Sequence, residues 1–142
     1  MIRAFLDANV FVAAAASPQR GSSFLLETAK KRLLEIVTSH LALLEAERNI
    51  RNKLSPQALK RFHRLLQESP LLIVPASSPE EIRRYHSLIN EKDAPILAAA
   101  VSSKSDFLVT LDRKDFMSEK MRRASLLLKI VTPGDLFRSV LF

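Results

Sequence analysis

The sequence predicts a three-layer α/β domain whose central parallel sheet of four or five strands is flanked by helices. Short, mostly apolar runs of strand length recur along the chain, as in parallel strands that are buried on both faces. Helical patterns with clear start signals lie between these runs. No repeat, low-complexity tract or linker interrupts the pattern, so one domain is predicted over residues 1–142.

Five apolar runs predict the strands of this sheet. They lie at residues 2–6, 35–38, 71–74, 107–110 and 127–131. Parallel α/β sheets bind their ligands beyond the carboxyl ends of the strands, where the strand order reverses. Polar side chains that directly follow one of these runs are therefore the first candidates for a functional site.

Helix start signals of one kind recur between the strands, namely a capping residue followed by proline within the first helical turn. They are Ser55-Pro56, Ser78-Pro79, Asp93-Ala94-Pro95 and Thr132-Pro133. Apolar residues at helical spacing follow each signal: after Ser78 they are Ile82, Tyr85, Leu88 and Ile89, and after Thr132 they are Leu136, Phe137, Val140 and Leu141. A further helix is predicted over residues 39–54, so that strands and helices alternate.

The composition excludes several classes of protein. The chain has no cysteine, which excludes disulfides, zinc–thiolate sites and cysteine nucleophiles and suits a reducing compartment. Arg3 and Asp7 interrupt the apolar start, so no signal peptide is predicted. The longest apolar runs, such as residues 11–16, are too short to span a bilayer. These features predict a cytoplasmic protein without a membrane segment.

The chain is basic, with 22 Lys and Arg against 15 Asp and Glu and a formal net charge of +7. Such a surface favours polyanions, because bound phosphates release counterions and are attracted over some distance. Small basic domains without any such ligand are also common. Charge alone does not distinguish a surface that binds nucleic acid from one that only keeps the protein soluble. The positions of the acids are needed for that distinction.

Several acids lie where the predicted strands end or helices begin. Asp7 follows the first strand and Asp112 the fourth, where a buried carboxylate is costly unless a cation compensates its charge. Asp7 could instead cap the helix that follows it, Asp112 could belong to an Asp-rich turn, and Asp93 could cap the helix that it opens. Asp115 by itself is better explained as a turn residue.

Two acids compete for one position on the helix over residues 39–54. Glu47 borders the apolar stripe and has Arg51 four residues later, an arrangement typical of a surface ion pair. Glu45 lies on a different face, between Leu41 and a polar set that includes Arg48. The geometry favours Glu45, although a shift of two residues would substitute Glu47.

The order of these acids resembles that of the PIN-domain family of nucleases, whose members include the toxins of VapBC toxin–antitoxin pairs. The matching segments are LDANV at 6–10, TSHLALLE at 38–45, DAPILAAA at 93–100 and LVTLD at 108–112. By this resemblance the family's four acidic positions are Asp7, Glu45, Asp93 and Asp112. Thr110 matches its hydroxyl-bearing position, Asn9 a commonly polar position, and Asp115 a more variable acid.

The resemblance implies a metal-dependent endoribonuclease whose four carboxylates bind Mg²⁺ or Mn²⁺. Clustered carboxylates without a cation would repel one another, and oxygen ligands favour these hard ions. We expect Asp7 and Asp112 to bind the ion directly, and Glu45 and Asp93 to bind a second ion or to orient water. Basic residues that could flank the cleft and hold the RNA backbone include Arg48, Arg113 and Lys114.

The family also implies partners and leaves alternatives. The expected partners are RNA, a second copy in a homodimer and, for a toxin, a small antitoxin. Apolar helix faces around Phe62 or Phe137 could supply such contacts, with core packing as their other use. A phosphatase-like site would need a second Asp where Asn9 stands. A catalytically silent PIN-like domain that binds RNA or a partner remains the alternative to an enzyme.

Overall fold

The computed structural model describes residues 1–19 and 21–138. Its sheet has five strands in the order β3-β2-β1-β4-β5, and every neighbouring pair is parallel. The prediction of a parallel sheet of four or five strands is confirmed. The strands are β1 (Arg3–Leu6), β2 (Glu35–Ser39), β3 (Leu71–Val74), β4 (Phe107–Val109) and β5 (Lys129–Val131).

Helices connect the strands, and four of the nine helices in the described residues begin at the predicted start signals. Ser55, Ser78 and Thr132 each accept a hydrogen bond from a backbone N–H three residues later, as N-caps do. The helices are α1 (Ala8–Ala16), α2 (Gly21–Lys30), α3 (His40–Lys53), α4 (Pro56–Glu68), α5 (Pro79–Arg83), α6 (Ala94–Ser102), α7 (Arg113–Phe116), α8 (Glu119–Arg123) and α9 (Pro133–Leu136).

Both faces of the sheet are buried at its central strands β1, β2 and β4, whereas Leu72 and Ile73 of the edge strand β3 are exposed. Successive strand residues point to opposite sides, so Leu6 of β1 joins one apolar cluster and Phe5 joins the other. The first cluster includes side chains of α1 to α4, and the second includes side chains of α6 to α8. The three layers that the sequence predicts are therefore present.

The strand order reverses between β1 and β4. The chain runs from β1 outward through β2 to β3, then returns to add β4 and β5 on the other side of β1. Because crossover connections are right-handed, this reversal places the later helices on the opposite face. The crevice beyond the carboxyl ends of β1 and β4 is thus the switch point where such sheets bind ligands. Asp7 directly follows β1, and Asp112 lies three residues beyond β4.

One helix is shorter than predicted. The segment that begins at Ser78 is helical only to Arg83, although the apolar pattern continues to Ile89. Backbone hydrogen bonds between residues three apart, such as that from the Leu88 N–H to the Tyr85 carbonyl, replace helical bonds there. These turns still pack Tyr85, Leu88 and Ile89 against the second core cluster. Packing onto the core therefore takes precedence over continuing the helix.

Helix α9 begins at the predicted position, but Val140 and Leu141 lie outside the described residues. Within residues 1–19 and 21–138, no helix is long and apolar enough to cross a membrane.

Candidate metal centre

Asp7 is a buried carboxylate at the end of β1, with only 6% of its surface exposed. Its Oδ1 accepts a hydrogen bond from the Ala8 N–H at 2.8 Å, and its Oδ2 accepts one from the Thr110 hydroxyl at 2.8 Å. The pKa of Asp7 is raised to about 6, first by burial and also by the charges of Asp93 and Glu45, against the lowering effect of these hydrogen bonds. Asp7 therefore caps α1 and also faces other acids.

Asn9 and Thr110 tie the ends of β1 and β4 together. The Asn9 amide donates to Asp7 Oδ2 at 3.3 Å and to Thr110 Oγ1 at 3.2 Å, and its oxygen accepts from the Leu111 N–H at 3.0 Å. Thr110 Oγ1 also accepts from the Asp112 N–H at 3.1 Å. A second Asp at position 9 could not donate to Asp7. Asn9 and Thr110 thus position Asp7 and Asp112 relative to each other.

Three further carboxylates converge beside this link. Asp93, Asp112 and Asp115 each offer one oxygen, and these oxygens lie within 4.8 Å of one another. Asp112 also caps α7, because its Oδ1 accepts from the Asp115 N–H at 3.0 Å. Asp115 lies in α7, and its carboxylate is one of the three that converge. Partial burial, then the charges of Asp112 and Asp93, raise the pKa of Asp115.

Asp93 is held in place by a residue that the sequence did not single out. Its backbone has helical angles, φ −93° and ψ −15°, and its side chain makes no cap bond to α6. The Asn90 amide instead donates to Asp93 Oδ2 at 2.8 Å, and the Asp93 N–H donates to Asn90 Oδ1 at 3.0 Å. The interpretation of Asp93 as a side-chain cap was therefore wrong. A polar residue three positions before the acid was the available signal for Asn90.

Helix α3 brings Glu45, and not Glu47, toward the acids. Burial raises the pKa of the half-buried Glu45, with Lys92 opposing this shift and Asp93 adding to it. Glu47 instead contacts Arg51 at 3.1 Å and His63 at 3.3 Å, and these contacts lower its pKa. Glu47 therefore belongs to a surface ion-pair group.

The three predicted RNA-binding residues border the acids on the surface. Arg48, Arg113 and Lys114 are all exposed. Arg48 lowers the pKa of Glu45 through its charge, and Lys114 does the same for Asp115, which places both cations close to the cluster. Arg113 directly follows Asp112 at the start of α7. Arg48 and Lys114 therefore lie near the acids, and Arg113 is next to Asp112 in the chain.

The family is decided by a match to the PIN-domain model over residues 3–114. The chain belongs to the PIN-domain family. This span includes every candidate acid except Asp115, which lies one residue beyond its end. No match was found among curated proteins.

Solved PIN structures share the fold of this PIN domain. VapBC2 from Rickettsia felis, bound to a DNA fragment from their promoter, is 20% identical with a TM-score of 0.64, covering 92% of this chain and 98% of that chain. FitAcB from Neisseria gonorrhoeae is 19% identical with a TM-score of 0.62 and the same coverage. VapC20 from Mycobacterium tuberculosis, a sarcin–ricin loop cleaving toxin, is 11% identical with a TM-score of 0.58, covering 78% and 91%.

The acidic cluster of this PIN domain fits a hard divalent cation. The converging atoms of Asp93, Asp112 and Asp115 are all carboxylate oxygens, the ligands that Mg²⁺ and Mn²⁺ prefer. The raised pKa of Asp7 shows that its charge is poorly compensated by the protein alone. A bound cation would offset both the burial of Asp7 and the repulsion among the other acids.

Proposed function

We propose that this PIN domain is a Mg²⁺- or Mn²⁺-dependent endoribonuclease. The observation that carries the proposal is the convergence of the Asp93, Asp112 and Asp115 oxygens within 4.8 Å at the switch point of a parallel sheet. Buried Asp7 and half-buried Glu45 adjoin this cluster. Ion pairs do not explain the arrangement, because within residues 1–19 and 21–138 none of these acids makes a salt bridge, whereas Glu47 contacts both Arg51 and His63.

In this proposal Asp7, Glu45, Asp93 and Asp112 form the catalytic and metal-binding set. Asp115 adds a further ligand or orients water, while Asn9 and Thr110 position Asp7 and Asp112. When bound, a divalent ion supplies the Lewis acidity that phosphodiester hydrolysis requires.

In this proposal the cations around the acids hold the substrate, and the attack of water determines the products. Arg48, Arg113 and Lys114 hold phosphates on either side of the scissile one, since the acidic cluster alone would repel them. Glu45 and Asp7 accept hydrogen bonds from water and so keep it beside the phosphorus atom. The water oxygen bonds to phosphorus as the bond to the 3′ oxygen breaks, the water loses a proton to solvent, and the 3′ oxygen takes up a proton from solvent. The products are a 5′-phosphate and a 3′-hydroxyl.

Metal titration of the purified chain tests this function. A 5′-labelled RNA is expected to be cut when Mg²⁺ or Mn²⁺ is added and to stay intact in EDTA, with mass spectrometry showing 5′-phosphate termini. Equal cleavage in EDTA would contradict a metal mechanism. If RNA binds but no metal supports cutting, the chain is the catalytically silent RNA-binding domain.

The two acids of α3 provide a matched pair of variants. Glu45→Gln is expected to reduce the cleavage rate by about a hundredfold, because it removes a charge next to the cluster. Glu47→Gln is expected to retain the parental rate and to lose only about 0.3–0.5 kcal/mol of stability from its surface pairs. Single-turnover rates and urea unfolding measure the two effects. The reverse result would show that the motif is shifted by two residues.

We extend the proposal to the partners of this PIN domain: a homodimer that acts as a toxin and is bound by a small antitoxin, whose tail occupies the basic cleft. The fold similarity to VapBC2 and FitAcB supports this. Phe62 is not the contact, because it is buried and packs edge-on against Phe11. Leu41 and Leu44 of α3, which are 37% and 57% exposed, are better candidates. Sedimentation as a 16.0 kDa monomer at high micromolar concentration would contradict obligate dimerisation.

A further inference from the structure

A cavity of about 370 Å³ opens at the edge of the sheet opposite the acidic cluster. Strands β1, β2 and β3 are parallel neighbours, so their amino ends meet at this edge. Six residues line the cavity: Met1, Glu35 and Pro70 near the starts of these strands, and Ala29, Arg32 and Leu34 in the segment from α2 to β2. Among the described residues that line it, none belongs to the candidate metal centre. The cavity is therefore separate from the proposed catalytic site.

The lining of this cavity is mainly apolar. Ala29 and Leu34 are buried members of the first core cluster, whereas Met1 and Pro70 are exposed. An apolar ligand that covered these side chains would be stabilised by the removal of apolar surface from water. The volume lies in the lower part of the range for small-ligand sites, about 300–1,000 Å³. A small ligand with an apolar body therefore fits this cavity.

Arg32 supplies an unpaired positive charge to the cavity. Within residues 1–19 and 21–138, its guanidinium makes no salt bridge and no hydrogen bond. The Glu35 carboxylate also lines the cavity, but the Arg3 guanidinium donates to both of its oxygens, at 3.1 and 3.4 Å. Glu35 is therefore already paired, and Arg32 is left to bind an anion. A guanidinium binds a carboxylate through two parallel N–H donors, an interaction stronger than a neutral hydrogen bond.

We propose that this cavity binds a small apolar carboxylate, such as a medium-chain fatty acid. Its carboxylate pairs with Arg32, and its hydrocarbon chain lies against Ala29, Leu34 and Pro70. Nucleic acid fits this cavity poorly, because its affinity rises with the number of cations that contact phosphates, and Arg32 stands here beside apolar walls and an acid. The site requires neither RNA nor a metal ion, so this inference does not rest on the proposed ribonuclease function.

The backbone of Arg32 allows its charge to be removed without loss of the fold. Arg32 has φ 59°, in the left-handed region. It ends α2 with a pair of hydrogen bonds: the Arg32 N–H donates to the Ala29 carbonyl at 2.9 Å, and the Leu33 N–H donates to the Thr28 carbonyl at 3.2 Å. Glycine is the usual residue at this position, because it has no Cβ to clash in the left-handed region. Arg32→Gly should therefore keep the turn intact.

Lys104 provides a matched control. It is also an exposed cation that follows a helix in the left-handed region, with φ 57°, but it does not line the cavity. Arg32→Gly and Lys104→Gly each remove one positive charge and one left-handed side chain. Both are expected to raise the Tm of the ligand-free chain by about 2 °C. Thermal unfolding followed by circular dichroism measures this change and shows that both variants are folded.

An NMR titration of the isotope-labelled chain measures binding and locates it. The probe is hexanoate, compared with hexanol, which lacks the charge, and with acetate, which lacks the hydrocarbon chain. Hexanoate is expected to cause saturable shifts of the backbone amide signals of the lining residues Ala29, Arg32, Leu34 and Glu35. Hexanol and acetate should each bind at least about tenfold more weakly, because each lacks one of the two interactions.

The variants test the role of Arg32 in the same titration. Arg32→Gly should weaken the binding of hexanoate by about tenfold, the effect of losing one charge-assisted pair at a partly exposed site. Lys104→Gly should retain the Kd of the parent. This difference separates an ion pair with Arg32 from a general attraction of anions to a basic protein.

Several outcomes would overturn the proposal. Hexanoate could cause no saturable shifts, or shifts only at residues away from the cavity. It could also bind Arg32→Gly as tightly as the parent. Hexanol binding as tightly as hexanoate would show that the cavity takes apolar molecules without an anion site. Acetate binding as tightly as hexanoate would show that the apolar walls contribute nothing.

Discussion

Replacing Asp112 by Asn is expected to reduce Mg²⁺- or Mn²⁺-dependent RNA cleavage by about a thousandfold, the loss typical of removing one strong transition-state interaction. The fold should survive, because an amide oxygen caps a helix about as well as a carboxylate. The bond from the Asp115 N–H to position 112 is therefore retained. What the variant loses is the negative charge that Asp112 contributes next to Asp93 and Asp115.

The chain offers a control with the same chemical change. Asp106 also accepts a backbone hydrogen bond, from the Arg3 N–H at 2.8 Å, but it precedes β4 at the amino edge of the sheet. Asp106→Asn should cut RNA at the parental rate. Single-turnover kinetics and Mn²⁺ titration calorimetry measure activity and metal affinity together. The nuclease interpretation would be wrong if cleavage at the parental rate were found for all four amide variants, those of Asp7, Glu45, Asp93 and Asp112.

Replacing Asp7 by Asn is expected to abolish cleavage and yet to stabilise the metal-free protein at neutral pH. The pKa of Asp7 is raised from 3.8 to about 6 in the folded chain, so the folded state binds this proton more tightly than the unfolded state. The contribution of Asp7 to folding stability is therefore fully present below about pH 4 and is lost as the pH rises to about 6. A shift of this size corresponds to about 3 kcal/mol, and Asn cannot ionise.

Urea unfolding in EDTA between pH 4 and pH 7.5 measures this difference. The stability of Asp7→Asn relative to the parent should increase across the window and level off above about pH 6.5. The pKa of Glu45 is also raised, but Glu45 is present in both proteins and its effect largely cancels. The gain at neutral pH is below the full 3 kcal/mol, because the new amide group faces the Thr110 and Asn9 donors. If Asp7→Asn kept the parental activity, or if its stability difference from the parent did not depend on pH, Asp7 would be only a helix cap.

The sequence by itself determined the five strands, the helices α3, α4, α5, α6 and α9, and the place of two of the acids. Apolar runs of strand length and Ser-Pro or Thr-Pro signals are local patterns, and local hydrogen bonds satisfy them: Ser55, Ser78 and Thr132 cap the helices that they open. Asp7 and Asp112 follow apolar runs, so their place at the carboxyl edge of the sheet follows from strand direction alone. The angular position of Glu45 on α3 is likewise a property of any helix.

Only the tertiary structure decided which side chains meet. Thr110 bonds to Asp7 across 103 positions of sequence, and no local pattern encodes that β1 and β4 become neighbours. Taken alone, the local sequence around Asp115 fits a turn and that around Asp93 fits a helix cap, and only the packing of α6 and α7 brings both carboxylates to Asp112. Asn90 can hold Asp93 because helix α5 ends at Arg83 and the turns that follow it pack on the second core cluster. Sequence patterns specify elements through interactions within a few residues, whereas the acidic cluster depends on contacts that exist only once the sheet has assembled.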